Sequence, residues 1–185
     1  MKPLPISAWD PSLQHVVDAM HGRPLNIHAL MANHPRPLHA WWDLRMYLVH
    51  GGDLTQRHCE LVILRIAVHT KSWYEWASHV VRGIDSGLTL DEIQNVRSGD
   101  GEWSDADAAL LRAVDDIATS NCISEATRTR LQKHFTDQQV LDIVLLHGMY
   151  QTLGGLINSW GRELDEHVRV QLPDAVTEPG FRSSK

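Results

Sequence analysis

The chain has 185 residues, 43% of them hydrophobic, with 23 acidic against 17 basic side chains and a formal net charge of -6. That is enough apolar content for one domain with its own core. The acidic balance and the lack of a basic run exclude nucleic acid as an expected partner. The longest apolar run, Leu61 to Val68, is interrupted by Arg65 and falls short of the roughly 18 to 20 residues of a membrane span, so no membrane partner is expected. The opening MKPLPISAWDPS holds no apolar leader segment, which makes the cytoplasm the expected compartment. Cys59 and Cys122 lie far apart, which removes a C-x-x-C redox pair and a cysteine zinc framework. The 12 histidines are scattered, with no H-E-x-x-H or H-x-H.

In chain order, Asp10 and Pro11 predict a cap and first position for a short helix to about Met20. A second helix is expected from Asn26 to about Asn33, broken by His34-Pro35-Arg36-Pro37. Leu38 to Val49 reads as an aromatic-rich helix closed by Gly51-Gly52. Thr55 is the expected cap of a long apolar helix through His69. Ser72 is the expected cap of the next helix, which ends near Ser86-Gly87. Thr89-x-x-Glu92 matches a capping box, for a short helix stopping near Ser98-Gly99. Ser104-x-x-Asp107 opens a helix whose Leu110, Leu111, Val114 and Ile117 are spaced for one buried face. Ser124 begins a helix to about His134, and Thr136-x-x-Gln139 begins a long one from Asp137 to about Leu164. Period-2 alternation is absent, so the expected fold is all-α, a single-domain bundle of about eight helices. Residues 1–24 form an extension with a short helix, 25–172 the helical domain, and 173–185 a polar tail that is loosely ordered or packs on a neighbouring subunit.

Residues 57–87 carry the candidate chemistry. Glu75 and His79, four apart, share one helical face. Glu60 is a lone acid in an apolar helix, where a charge is costly unless paired or given a task. If the three converge in a sheltered pocket, two neighbouring carboxylates raise one pKa, and a histidine that titrates near neutrality can pass the proton on. Such a set suits general acid–base work on a small organic substrate. Arg57 and Arg65 are candidates for binding a substrate carboxylate. Trp42, Trp73, Tyr74 and Trp76 are candidate pocket walls, and His147 and Tyr150 a second polar group. The plainer reading stays open for each. A Glu–His pair at this spacing is ordinarily a solvated helix pair, Glu60 can form a structural ion pair with Arg57 or Arg65, and tryptophans usually fill cores. A metal held by Glu60, Glu75 and His79 is a minority alternative; otherwise no metal or cofactor is expected. Cys59 points about 100° away from Glu60 on a helix, as a small buried residue would.

Arg57-x-x-Glu60-Leu-Val-Ile-Leu-Arg65, Tyr74-Glu75-Trp76-x-x-His79 and Gly87-Leu-Thr with Glu92-Ile93 resemble the carboxymuconolactone decarboxylase and alkylhydroperoxidase D-like superfamily. Asn33-His34-Pro35, Trp42, Tyr150 and Asn158 also fit, so the likeness spans about residues 25 to 165. The resemblance implies an all-helical fold that assembles as trimers or hexamers. In its peroxidase branch a glutamate falls on Glu60 and a histidine on His79, while the two catalytic cysteines fall on Ser72 and Glu75. Serine and glutamate supply neither an attacking nor a resolving thiol. The resemblance therefore implies a decarboxylase-like lyase working by acid–base chemistry on a small, carboxylated substrate. The alternatives are an alkylhydroperoxidase D-like peroxidase or antioxidant protein, and a non-catalytic oligomeric protein that binds a small ligand.

Overall fold

The computed structural model describes residues 1–183. Among them are eleven α-helices and no strand. They are α1 (Gln14–Ala19), α2 (Asn26–Met31), α3 (Pro35–Met46), α4 (Gln56–Thr70), α5 (Trp73–Asp85), α6 (Leu90–Ser98), α7 (Asp105–Ser120), α8 (Glu125–Leu131), α9 (Asp137–Trp160), α10 (Glu166–Gln171) and α11 (Glu178–Arg182). The expected all-α fold is present, in more and shorter pieces than eight. The extra pieces are short C-terminal helices with too few residues to show a period.

Most starts fall where cap chemistry places them. Thr55 Oγ1 accepts from the His58 amide, Ser104 from Asp107 and Ser124 from Thr127. Thr89/Glu92 and Thr136/Gln139 form complete capping boxes, satisfying two orphan amides each. Two details differ. The Pro35–Pro37 segment does not precede α3 but forms its first turn, where a missing N–H costs nothing. Ser72 occupies the cap position of α5 without a capping hydrogen bond, and its buried hydroxyl has no partner.

Helix α4 lies at the centre, packed against α5, α6, α7 and α9. It is buried nearly all round, from Cys59 to Leu64 and again at Ile66 and Ala67, as the mostly apolar run Leu61–Val68 demands. Lys71 adopts the left-handed conformation (φ 54°), and the Ser72 amide returns to the Ala67 carbonyl at 3.0 Å. This tight reversal lays α5 back along α4, and so places Glu60 beside a residue 19 positions later. Helix α9 approaches α4 closely: a Cβ on Gly154 would sit 2.9 Å from Thr70 Oγ1.

Residues 1–24 carry the expected short helix, α1, and pack on the domain. Leu13 and Val16 build a second small core with Ala32, Leu38 and Trp42. The tail also folds on its own chain. Phe181 stacks on Trp76 with ring centroids 5.3 Å apart, and Arg97 donates to the Gly180 carbonyl at 2.6 Å. Ser184 and Lys185 lie outside the described residues. A further correction concerns α9. It, rather than Leu61–Val68, is the longest apolar stretch, long and apolar enough to cross a membrane by length and composition alone, with half of that window buried within the fold.

Candidate active site

Glu60, Glu75 and His79 meet between α4 and α5. His79 Nδ1 lies 2.6 Å from Glu60 Oε2, and His79 Nε2 lies 3.4 Å from Glu75 Oε2. The imidazole therefore sits between two carboxylates, one on each nitrogen. All three are buried, Glu60 at 0% and His79 at 1% exposure. Gln56, one turn before Glu60, donates to its other oxygen at 3.0 Å. The Tyr150 ring meets the imidazole edge-on, with centroids 5.0 Å apart.

Burial alone would raise the Glu60 pKa. The charge and hydrogen bond of His79, with help from Arg82 and Gln56, outweigh it and hold Glu60 below the usual carboxylate range. Burial likewise pushes His79 down, but Glu60, and then the hydrogen bond to Glu75, carry it above its ordinary value. Of the two acids, Glu60 is not one whose pKa rises, because the imidazole lies between it and Glu75.

Glu60 on one side and Glu75 with His79 on the other face two hollows. An outer pocket of about 320 Å³ is lined by Gln56, Glu60, Val49, His50, Arg45 and Arg82, with Met20, Asp85 and Ser86 at its edges. An inner cavity of about 20 Å³, room for about one water, is lined by Glu75, Ser78, His79, His28, Tyr150, Arg45 and Arg82, among others. Glu75 Oε1, Ser78 Oγ and His28 Nδ1 are buried there without a hydrogen-bond partner among the described residues. Burial, then Arg45 and Arg82, push His28 down to about 3, so it is neutral.

The two arginines expected from sequence are elsewhere. Arg57 pairs with Glu92 at 2.6 Å and Asp107 at 2.8 Å. Arg65 pairs with Asp115 at 2.6 Å and donates to the Val96 carbonyl. Both lock α4 to α6 and α7. His69 joins the same Asp115 at 2.7 Å. Trp42 does not line the site but supports it, with the Arg45 guanidinium 4.9 Å from its ring centroid. Trp73 and Trp76 pack on Phe181; the tryptophan that does line the inner cavity is Trp41. His147 is buried and its Nε2 has no partner, but it lines neither hollow. No group of three acids, histidines or cysteines among the described residues is arranged to hold a metal, since the imidazole bridges the carboxylates instead of converging with them.

Residues 35–116 match the carboxymuconolactone decarboxylase family. This segment, less than half of the chain, is similar to the carboxymuconolactone decarboxylase and alkylhydroperoxidase D-like proteins. The fold of the chain is that of several solved structures. An uncharacterised peroxidase-related protein from Ralstonia eutropha JMP134, with an alkylhydroperoxidase AhpD core, superposes with a TM-score of 0.79 at 17% identity, covering 91% of this chain and 94% of that one. A peroxidase-related protein from Silicibacter sp. TM1040 gives 0.76 at 16%, covering 92% and 91%. The debrominase Bmp8, in complex with 2,3,4-tribromopyrrole, gives 0.76 at 13%, covering 92% and 94%. No curated protein matches the sequence significantly.

Among the described residues the two cysteines do not form the thiol pair of a peroxide-reducing site. Burial, then Glu60, push the Cys59 thiol up to about 12, and its sulfur faces the Leu48 carbonyl at 3.8 Å. A thiol so placed is no nucleophile. Cys122 is exposed after α7, outside both hollows. Four site residues escaped the sequence reading. Gln56 and Arg82 carried a signal, being four before Glu60 and three after His79 on the same helices. Arg45 and His28 carried none, because only the packing of α2 and α3 brings them in.

Proposed function

We propose that the chain is a carboxymuconolactone decarboxylase-like enzyme that performs cysteine-independent general acid–base chemistry on a small organic substrate. The observation that supports this is the buried Glu60–His79–Glu75 set at the wall of an open pocket. Glu60 lines the outer pocket, and the His79 imidazolium 2.6 Å behind it keeps it a carboxylate able to take a proton from a substrate. Glu75 steadies that imidazolium from the far side. Decarboxylation, double-bond migration, lactone opening and elimination each need one such proton transfer near an acidified carbon.

The test is deuterium uptake. Carboxylated butenolides and enone acids are incubated with the protein in D2O and followed by NMR, which detects proton abstraction even without net conversion. Exchange that disappears in His79→Gln and Glu60→Gln, in folded protein, supports the reading. Binding of these compounds with no exchange in any of them sinks it and leaves a ligand-binding protein. Peroxide reduction driven by a dithiol donor and lost in Cys59→Ala would favour the peroxidase alternative instead.

We further propose that the chain works as a homo-oligomer. Leu141, Val144 and Leu145 are exposed along α9, and a Cβ on Gly148 or Gly155 would meet nothing. An apolar helical face of this kind suits close contact with a second copy. Light scattering that finds only monomer would remove this proposal.

A further inference from the structure

Arg45 and Arg82 are the unexplained charges of this molecule. Arg45 is 5% exposed and Arg82 is half-buried, and both line both hollows. Neither has a carboxylate partner among the described residues. Arg45 reaches only Met46 Sδ at 3.3 Å and His50 Nε2 at 3.4 Å, besides the face of Trp42. The Arg82 guanidinium makes no hydrogen bond or ion pair at all among the described residues. This contrasts with Arg57 and Arg65, which are satisfied by two acids and by an acid plus a carbonyl. A buried cation without a partner is costly, and two side by side are more so. Burial, with Arg82 adding to it against Tyr150 and Glu75, holds Arg45 below its ordinary value, whereas burial of Arg82 is outweighed by Tyr150, Glu60 and Glu75, which raise it.

The local charges give the size of the deficit. Glu60 and Glu75 are both committed to the imidazole between them. His28 stays neutral. Asp85, at the edge of the outer pocket, is exposed to water that screens it, and forms no ion pair. With His79 protonated, as Glu60 favours, Arg45, Arg82 and His79 against Glu60 and Glu75 leave one positive charge in excess.

We propose that Arg45 and Arg82 form a receptor for a small organic monocarboxylate, held in the outer pocket with its reacting carbon toward Glu60. The planar fork of each guanidinium matches a carboxylate edge, and Trp42 fixes the plane of one of them. A second carboxylate would bring an uncompensated negative charge toward Glu60, and a neutral analogue would leave the arginines unpaired. The inference names the substrate class of the acid–base reading and rests on it for the placement of the reacting carbon, but anion binding itself is measured without turnover.

Isothermal titration of the full chain with benzoate, benzamide and terephthalate tests it. Benzoate is expected to bind at least about tenfold more tightly than either, the scale of a charge-assisted hydrogen bond. Arg82→Gln and Arg45→Gln are expected to lose about tenfold or more in benzoate affinity. Arg82→Lys should lose less, and Arg36→Gln, on the exposed start of α3, nothing. Equal binding of benzoate and benzamide by the wild-type protein overturns the proposal. So does unchanged benzoate affinity in either glutamine variant with wild-type circular dichroism and Tm. Benzoate binding that survives in His79→Gln while deuterium exchange is absent throughout would sink the catalytic reading alone. Exchange with neutral substrates and no benzoate binding would sink the receptor alone.

Discussion

Replacing Glu60 by glutamine isolates the contact on which the site depends. The variant keeps the shape and the contact with Gln56 but removes the charge 2.6 Å from His79 Nδ1. Both partners are essentially dry, at 2% and 0% side-chain exposure, so solvent screening is slight. Breaking such a pair from one side costs about 3–5 kcal/mol. Because glutamine still offers an oxygen to the imidazole, the low end, about 3 kcal/mol, is expected. For a chain of this length each kcal/mol moves Tm by about 2–4 °C, so Tm should fall by about 6–12 °C near neutral pH. The pH window follows from the directions of the two shifts. Glu60 lies below its ordinary 4.5, so its share of the stability is present above that value and is lost as pH falls through the folded pKa. His79 lies above its ordinary 6.5, so its share is present below that value and is lost as pH rises through the folded pKa. The difference between variant and wild type should therefore be largest from about pH 4.5 to 6.5 and shrink on either side. Thermal scans across pH, with an NMR titration of the His79 ring, read both quantities. In Glu60→Gln the His79 pKa should drop below its ordinary value, because burial then acts with only Glu75 against it. A His79 pKa that stays raised, or a Tm difference that does not vary with pH, would refute the pairing.

Arg65→Ala should lower stability by about 1.5–3 kcal/mol through the lost charged hydrogen bonds to Asp115, with deuterium exchange per folded molecule unchanged; a specific loss of exchange would return Arg65 to the site. Gly154→Ala places a Cβ 2.9 Å from Thr70 Oγ1, and overpacking of this kind costs about 1–3 kcal/mol, read as a Tm drop that Thr70→Ala partly reverses. Thr89→Ala removes half of a capping box and should cost about 1 kcal/mol in a denaturant titration. Cys59→Ala should leave acid–base activity intact, since the thiol packs in the core with its sulfur toward the Leu48 carbonyl and lines neither hollow.

The helix starts were legible because their determinants are local. Thr89 and Glu92, or Thr136 and Gln139, satisfy each other's amides within one turn, whatever the rest of the chain does. Glu75 and His79 were legible for the same reason, and Glu60 because an acid in an apolar helix demands a partner. The arginines were not. Arg57 is one turn from Glu60 in sequence, yet Glu92 and Asp107 on other helices compete for it and hold it. Arg45 has no sequence relation to His79 and reaches the site only because α3 packs with Trp42 against α2. The chain itself thus determined where helices begin and which acid and imidazole share a helical face, through spacings of three and four residues. Tertiary packing alone decided which cations stand beside them, because long-range charge pairing is settled by which helices touch, and no periodicity records that.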